Sequence, residues 1–343
     1  MRPLPRRVVS SSIPGAVLLA NLACLGCPAC AERTGAASAG VGADGDATAP
    51  NPWNLDVSAL PSSPSSEAVV SWLESQGGWG TGTLRIDFSL TLLEADASAP
   101  FRSFTPTSDF YVPDCDDVPF PVPPGGALEG ENGYACTGGG DCHLLVLHRA
   151  SGKLYEMWRA DLSDGVFRGG CAAVWDLGRS YDDHLRGEDC TSADAGGFPI
   201  AAMIFSADEV AAGAIEHAVR FILPNDRIQS GVYTHPATHS TGAASGGPDA
   251  PPFGARLRLR ATYPVSDLAP GAQVVARAMQ KYGMILADGG NIALTAQNDA
   301  FGAHTWGEVG IDALSLAALS VTDMELVDLG PLVPYTGDCV REP

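Results

Sequence analysis

The chain is predicted to be mainly β, a β-sandwich or jelly-roll core with a few helices, and three observations lead there. Leu84, Ile86, Phe88, Leu90 and Leu92 alternate with Arg85, Asp87, Ser89 and Thr91, the period of a half-buried strand. Leu257, Leu259, Ala261 and Tyr263 alternate in the same way with Arg256, Arg258, Arg260 and Thr262, so the arginines are expected on a wetter face. The remaining apolar runs are short and are punctuated by many of the 40 glycines and 26 prolines, without the regular strand–helix alternation of a doubly wound fold.

The elements follow in chain order. Arg2, Arg6 and Arg7 precede a short apolar run, 13–25, and then Ala29-Cys30-Ala31. The run is too short for a stable bilayer span and has the proportions of a secretory leader, so residues 1–31 are expected to be a signal peptide. Cys24, Cys27 and Cys30 leave a lipid-modified N-terminal cysteine as the alternative. Residues 32–50 carry little apolar bulk and are expected to be a disordered tether. Residues 51–343 then form a single β-rich domain. A helix is expected over 66–76, with Ser65 or Ser66 as its cap and Gly77 as its stop. Strands over 143–148 and 154–159 flank the turn Ala150-Ser151-Gly152 as a hairpin. Further strands are expected over 171–177, 217–223 and 324–329, and a short helix over 209–215. A helix over 271–281 has Pro270 at its start and Gly283 past its end. The turn Asp288-Gly289-Gly290-Asn291 predicts a second hairpin between 284–287 and 292–295, and 306–314 is helical in pattern.

Composition limits the partners. The net charge is -20, and loss of the three leader arginines makes the mature chain more acidic still. Nucleic acid and anionic membrane surfaces are poor partners for such a chain. Six cysteines follow the leader, an even number that suits three disulfides in an exported protein. Local spacing favours Cys136–Cys142 and Cys171–Cys190, leaving Cys115–Cys339. No metal or other cofactor is expected, because no CxxC pair exists beyond the leader. His235 and His239 fall in a Pro/Ser/Gly-rich stretch, and Asp182-Asp183-His184 lacks the register of a known calcium loop.

The densest polar region is 189–220. Its Thr191-Ser192-Ala193-Asp194…Gly197-Phe198-Pro199-Ile200 run, with Glu216-His217-Ala218-Val219-Arg220-Phe221 and the Lys281–Asp288 run KYGMILAD, resembles a group of secreted bacterial proteins that have no settled activity. The resemblance spans most of the mature chain and implies boundaries, but no mechanism.

Function is expected in one of three forms. The first is a secreted polysaccharide-acting enzyme, a glycoside hydrolase in which Asp194 pairs with Glu216 or Glu209 as acid and base. The second is a polysaccharide lyase in which His217 and Tyr282 move the proton while Arg220 or Arg256 neutralises a uronate. The third is a non-catalytic cell-surface protein that binds an envelope glycan. Trp175, Ser192 and Arg220 are the expected substrate-binding residues. Each candidate has a structural role to set beside this one: turn formation for Asp194, helix capping for Glu209 and core packing for most of the six tryptophans.

Overall fold

The computed structural model describes residues 50–342. The expected leader, and the tether up to residue 49, lie outside the described residues. The fold is mainly β, with several sheets and few helices: nineteen strands and three α-helices lie among the described residues. No helix among them is long and apolar enough to cross a membrane.

Two sheets dominate. The larger has six strands in the order Ile86–Leu90, Leu294–Gln297, Val219–Leu223, Met284–Gly289, Arg256–Leu259 and Met324–Leu326. Its two central strands, Val219–Leu223 and Met284–Gly289, run parallel. The smaller has four strands: Ala172–Asp176, Lys153–Met157, Leu144–His148 and Leu92–Ala95. The hairpin around Gly152 is present as an antiparallel pair. Leu257, Phe221, Leu286 and Met279 belong to the main core, and Leu93, Phe120, Leu144 and Met157 to a second one around the smaller sheet. Leu90 and Leu145, one from each sheet, meet Ala193, Ile200 and Ile204 in a third, small cluster. The Asp194 loop is therefore wedged where the two sheets approach.

The run 83–93 is two strands rather than one. Leu84, Ile86 and Leu90 are buried as the alternation requires. At Thr91 the phase inverts, and Thr91, Leu93 and Ala95 become the buried set. The chain leaves the larger sheet here and enters the smaller, and a one-residue change of phase moves every side chain to the other face.

Three expectations are corrected. Residues 284–289 and 294–297 do not form a hairpin, because the Val219–Leu223 strand lies between them, parallel to one and antiparallel to the other. Residues 306–314 form turns and no helix. Arg256 and Arg258 do not face water. Arg256 is buried and donates to the carbonyls of Tyr282, Pro52 and Leu55 at 2.6, 3.0 and 3.2 Å. Arg258 bonds Glu325 and the carbonyls of Val57 and Leu60. The N-terminal segment lies over this face and uses the arginines as clamps, so the alternation marked a covered face instead of a wet one.

The helices agree better. Ser66–Ser75 and Pro270–Lys281 form as expected, the second ending at Gly283 with φ +72°, which glycine tolerates best. The short helix is Ala207–Ala212, two residues earlier than its pattern, because Ser206 and Glu209 close a capping box.

Cys136–Cys142 forms, but the other two pairings are exchanged: Cys115 joins Cys171 and Cys190 joins Cys339. Pairing here follows sheet neighbours over sequence neighbours. Cys190–Cys339 closes a separation of 149 residues and pins Val340–Arg341 against Gly187–Glu188. Replacing both Cys190 and Cys339 with serine should cost about 2–5 kcal/mol, the most of the three. Denaturant titration of the three paired variants checks this; equal costs would mean that loop length does not set them.

Candidate active site

The site is built outward from one arginine. Arg220 lies on the central Val219–Leu223 strand and is buried. Its guanidinium grips Asp194 with two nitrogens, Nη2 to Oδ1 at 2.7 Å and Nε to Oδ2 at 3.3 Å. The same Nη2 meets Asp288 Oδ2 at 2.9 Å, and Nη1 donates to Thr295 Oγ1 at 3.1 Å. Asp288 and Thr295 come from the strands on either side. The parallel pairing shifts register after Phe221, so Ile222 stands opposite Asp288 with Ala287 as the extra residue. A bulge of this kind re-aims a side chain, and here it presents Asp288 to Arg220.

Asp194 arrives from the loop between the sheets. Ser192 Oγ accepts from the Asp194 N–H at 3.0 Å and donates to the Phe198 carbonyl at 2.7 Å, which folds the loop on itself. Gly197 has φ +86°, and a Cβ there would stand 2.2 Å from Thr238 Oγ1. Glycine is needed at this turn for both reasons.

More titratable groups surround the pair. Glu156, fully buried, accepts from Trp175 Nε1 and the backbone N–H groups of Ile200 and Ala201 at 3.2, 3.0 and 2.8 Å. His143 Nδ1 meets Glu129 at 2.6 Å. Burial opposes charge on both, but the partners win: His143 is pushed up to about 9 and Glu129 down to about 2. Arg220 and His143 are thus balanced by Asp194 and Glu129. Glu156 and Asp288 have no cation left to themselves. Burial pushes the Glu156 carboxyl up to about 7 against its backbone donors, and the Asp194 charge adds to the rise. Burial also pushes Asp288 up to about 7, with Arg220 opposing and Asp194 again adding.

These shifts set the pH dependence of stability. Glu156 and Asp288 hold their protons more tightly folded than unfolded, so their contribution is complete below the ordinary carboxylate range. It is lost as pH rises to about 7. The contribution of His143 is complete below the ordinary imidazole value and lost as pH rises through about 9. Glu129 acts oppositely, and its contribution is lost as pH falls through about 2. Stability should therefore peak at about pH 5 and fall toward pH 9. Melting temperatures across that range check it, and a flat or rising profile would contradict the charge count.

One face of this cluster opens to solvent. A cleft of about 760 Å³ is lined by Asp114, Asp141, Asp288, Trp158, His239 and Tyr335, among others. The Asp288 side chain is 24% exposed there, whereas the Asp194 side chain is 0% exposed behind it. Four of the lining residues are aspartates and none is Lys or Arg. Asp141 accepts the Trp158 indole N–H at 3.0 Å, and Asp114 accepts the Thr191 N–H at 2.9 Å. His239 Nδ1 faces the Ala195 carbonyl at 2.7 Å and must donate to it, so Nε2 accepts from the Tyr335 hydroxyl at 2.9 Å. Burial lowers the His239 pKa, consistent with this neutral form. Thr241 also lines the cleft, and its buried Oγ1 has no hydrogen-bond partner among the described residues.

The expected site residues are dispersed. Asp194 and Ser192 lie at the cleft, with Asp194 committed to Arg220. Glu209 caps the Ala207–Ala212 helix and bonds His217 Nε2 at 3.1 Å. The His217 Nδ1 faces the Ala218 carbonyl, so both ring nitrogens are engaged. Glu216 is exposed and Tyr282 is buried with Lys281 over its ring. Glu209, Glu216, His217, Arg220, Tyr282 and Trp175 are not among the lining residues. Trp175 is a correction: it is fully buried, edge-on to Trp53 and Tyr181, and cannot stack on a ligand. Sequence reasoning missed Asp288, Asp114, Asp141, Trp158, His239 and Tyr335 as site residues. Asp288 carried the clearest signal, a lone acid ending the apolar run 284–287.

No protein-family model, curated protein or solved structure matches the chain.

Proposed function

We propose that the chain is an exported glycoside hydrolase acting on a neutral polysaccharide, with Asp288 as its acid. The observation that carries this reading is a carboxyl group pushed up to about 7 and partly exposed at the floor of a cleft that holds further carboxylates and an accessible tryptophan. A protonated carboxylic acid near neutral pH is what protonation of a glycosidic oxygen requires. Asp114 and Asp141 are the candidates for the second carboxylate. The Arg159 guanidinium lies over one face of the Trp158 ring at 4.7 Å, which leaves the other face for a sugar. Arg220 and Asp194 act as positioning residues behind Asp288.

The charge of the cleft weighs against the lyase. Asp194 is engaged by Arg220 and Asp288 is the acid, but Asp114 and Asp141 without a lining Lys or Arg would still repel a uronate, and elimination needs that carboxylate neutralised. Three disulfides suit an oxidising compartment and support action outside the cytoplasm. A lipid on Cys24, Cys27 or Cys30 would hold the enzyme at a membrane surface, and mass spectrometry of the exported chain tests for it.

The test is reducing-end release from a panel of neutral polysaccharides, with ultraviolet absorbance followed in parallel. Release by the parent and loss in Asp288→Asn is the expected result. An unsaturated, absorbing product would mean elimination. Glycan binding without turnover, unchanged in Asp288→Asn, would mean a binding protein.

A further inference from the structure

We propose a second site, for a divalent transition-metal ion of the zinc type, formed by His184, Glu188 and His235, none of which lines the cleft. Glu188 Oε1 lies 3.3 Å from His184 Nε2 and 2.8 Å from His235 Nε2. The three ligand atoms all lie within 4.8 Å of one another. Zinc holds nitrogen and carboxylate oxygen at about 2.0–2.2 Å, so tetrahedral ligands stand roughly 3.3 Å apart. The spacing here therefore needs only a small adjustment around an ion.

The donor set selects the metal class. Two imidazoles and one carboxylate suit zinc and its neighbours, whereas calcium and magnesium prefer oxygen alone. All three side chains are partly exposed, which leaves room for water in the remaining position. The surroundings hold the ligands in place. The Tyr233 hydroxyl binds Glu188 Oε2, which leaves Oε1 turned to the histidines. Asp182 and Asp183 place carboxylate oxygens 3.7 and 3.6 Å from His184 Nδ1, on the side of the ring away from the ion. Carboxylates so placed raise the basicity of a ligating imidazole. Glu188 is paired with Val340 next to the Cys190–Cys339 bridge, so its backbone is fixed from both sides. The ion would tie the loop around His184 to the loop around His235. The acidic surface would favour its approach.

The test is zinc titration calorimetry on protein purified without a histidine tag, together with the visible spectrum of the cobalt(II) form. One equivalent of zinc is expected, with four-coordinate cobalt bands and a melting temperature that rises with zinc and returns on chelation. His184→Ala, His235→Ala and Glu188→Gln should each weaken binding by roughly 100-fold, and Tyr233→Phe by about tenfold. Each should melt like the parent in chelator, which separates lost ligation from lost folding. His304→Ala removes an exposed histidine bonded to Asp208 elsewhere and should bind like the parent. Absence of a stoichiometric site, or zinc binding that survives in the His184→Ala/His235→Ala double variant, would overturn the assignment.

Discussion

Replacing Arg220 with methionine should destabilise the protein by about 3–5 kcal/mol, the largest loss expected from one substitution outside the disulfides. The guanidinium is the shared partner of Asp194 and Asp288 and also reaches Thr295. Its removal leaves a fully buried carboxylate without a cation. For a domain of this size each kcal/mol lowers the melting temperature by about 2–4 °C, so a drop of roughly 10 °C is expected. Arg220→Lys should recover little, since one ammonium cannot span four contacts on a loop and two strands. The deficit should shrink in acid, where orphaned carboxylates become neutral. A loss equal at every pH would point to packing and not to charge.

Asp288→Asn should lower turnover by about 10²–10⁴-fold while leaving the fold intact. General acid catalysis contributes about 10²–10⁴ in rate, and the asparagine cannot supply the proton. Stability should hold or rise above pH 7, because the substitution removes an acid that burial pushes up to about 7. In the parent, turnover should fall as pH rises through about 7, when Asp288 loses its proton. Asp114→Asn and Asp141→Asn identify the second carboxylate: the severe lesion marks it, and rescue by azide distinguishes a nucleophile or base from a structural acid. A parent whose turnover keeps rising above that pH would remove Asp288 as the acid.

The sequence displayed the fold at the level of periods. The strand Ile86–Leu90, the hairpin at Gly152 and the helix Pro270–Lys281 were legible because each is set by local alternation or by its own caps. The change of sheet at Thr91 and the insertion of Val219–Leu223 between two later strands were not, since both depend on partners distant in sequence. The same limit governed the site. Asp194 and Arg220 stood out within the dense polar region 189–220, and they do meet. Their meeting is what removes Asp194 from chemistry. Asp288 looked like the corner of a hairpin because Gly289 and Gly290 follow it. Its exposure at a cleft requires the bulge at Ala287 and the loop of Asp194, neither of which leaves a local signature. Alternating arginines suggested water at Arg256 and Arg258, where carbonyls of the N-terminal segment stand instead.

If Asp288 is the acid, a glycosidic bond must sit against it. The most direct measurement is a crystal structure of Asp288→Asn with a bound oligosaccharide that the parent cleaves. A glycosidic oxygen is expected about 2.6–3.2 Å from the substituted side chain, with a sugar ring on the face of Trp158. An oligosaccharide bound elsewhere, or lying in the cleft with its linkages out of reach of the substituted position, would contradict this assignment.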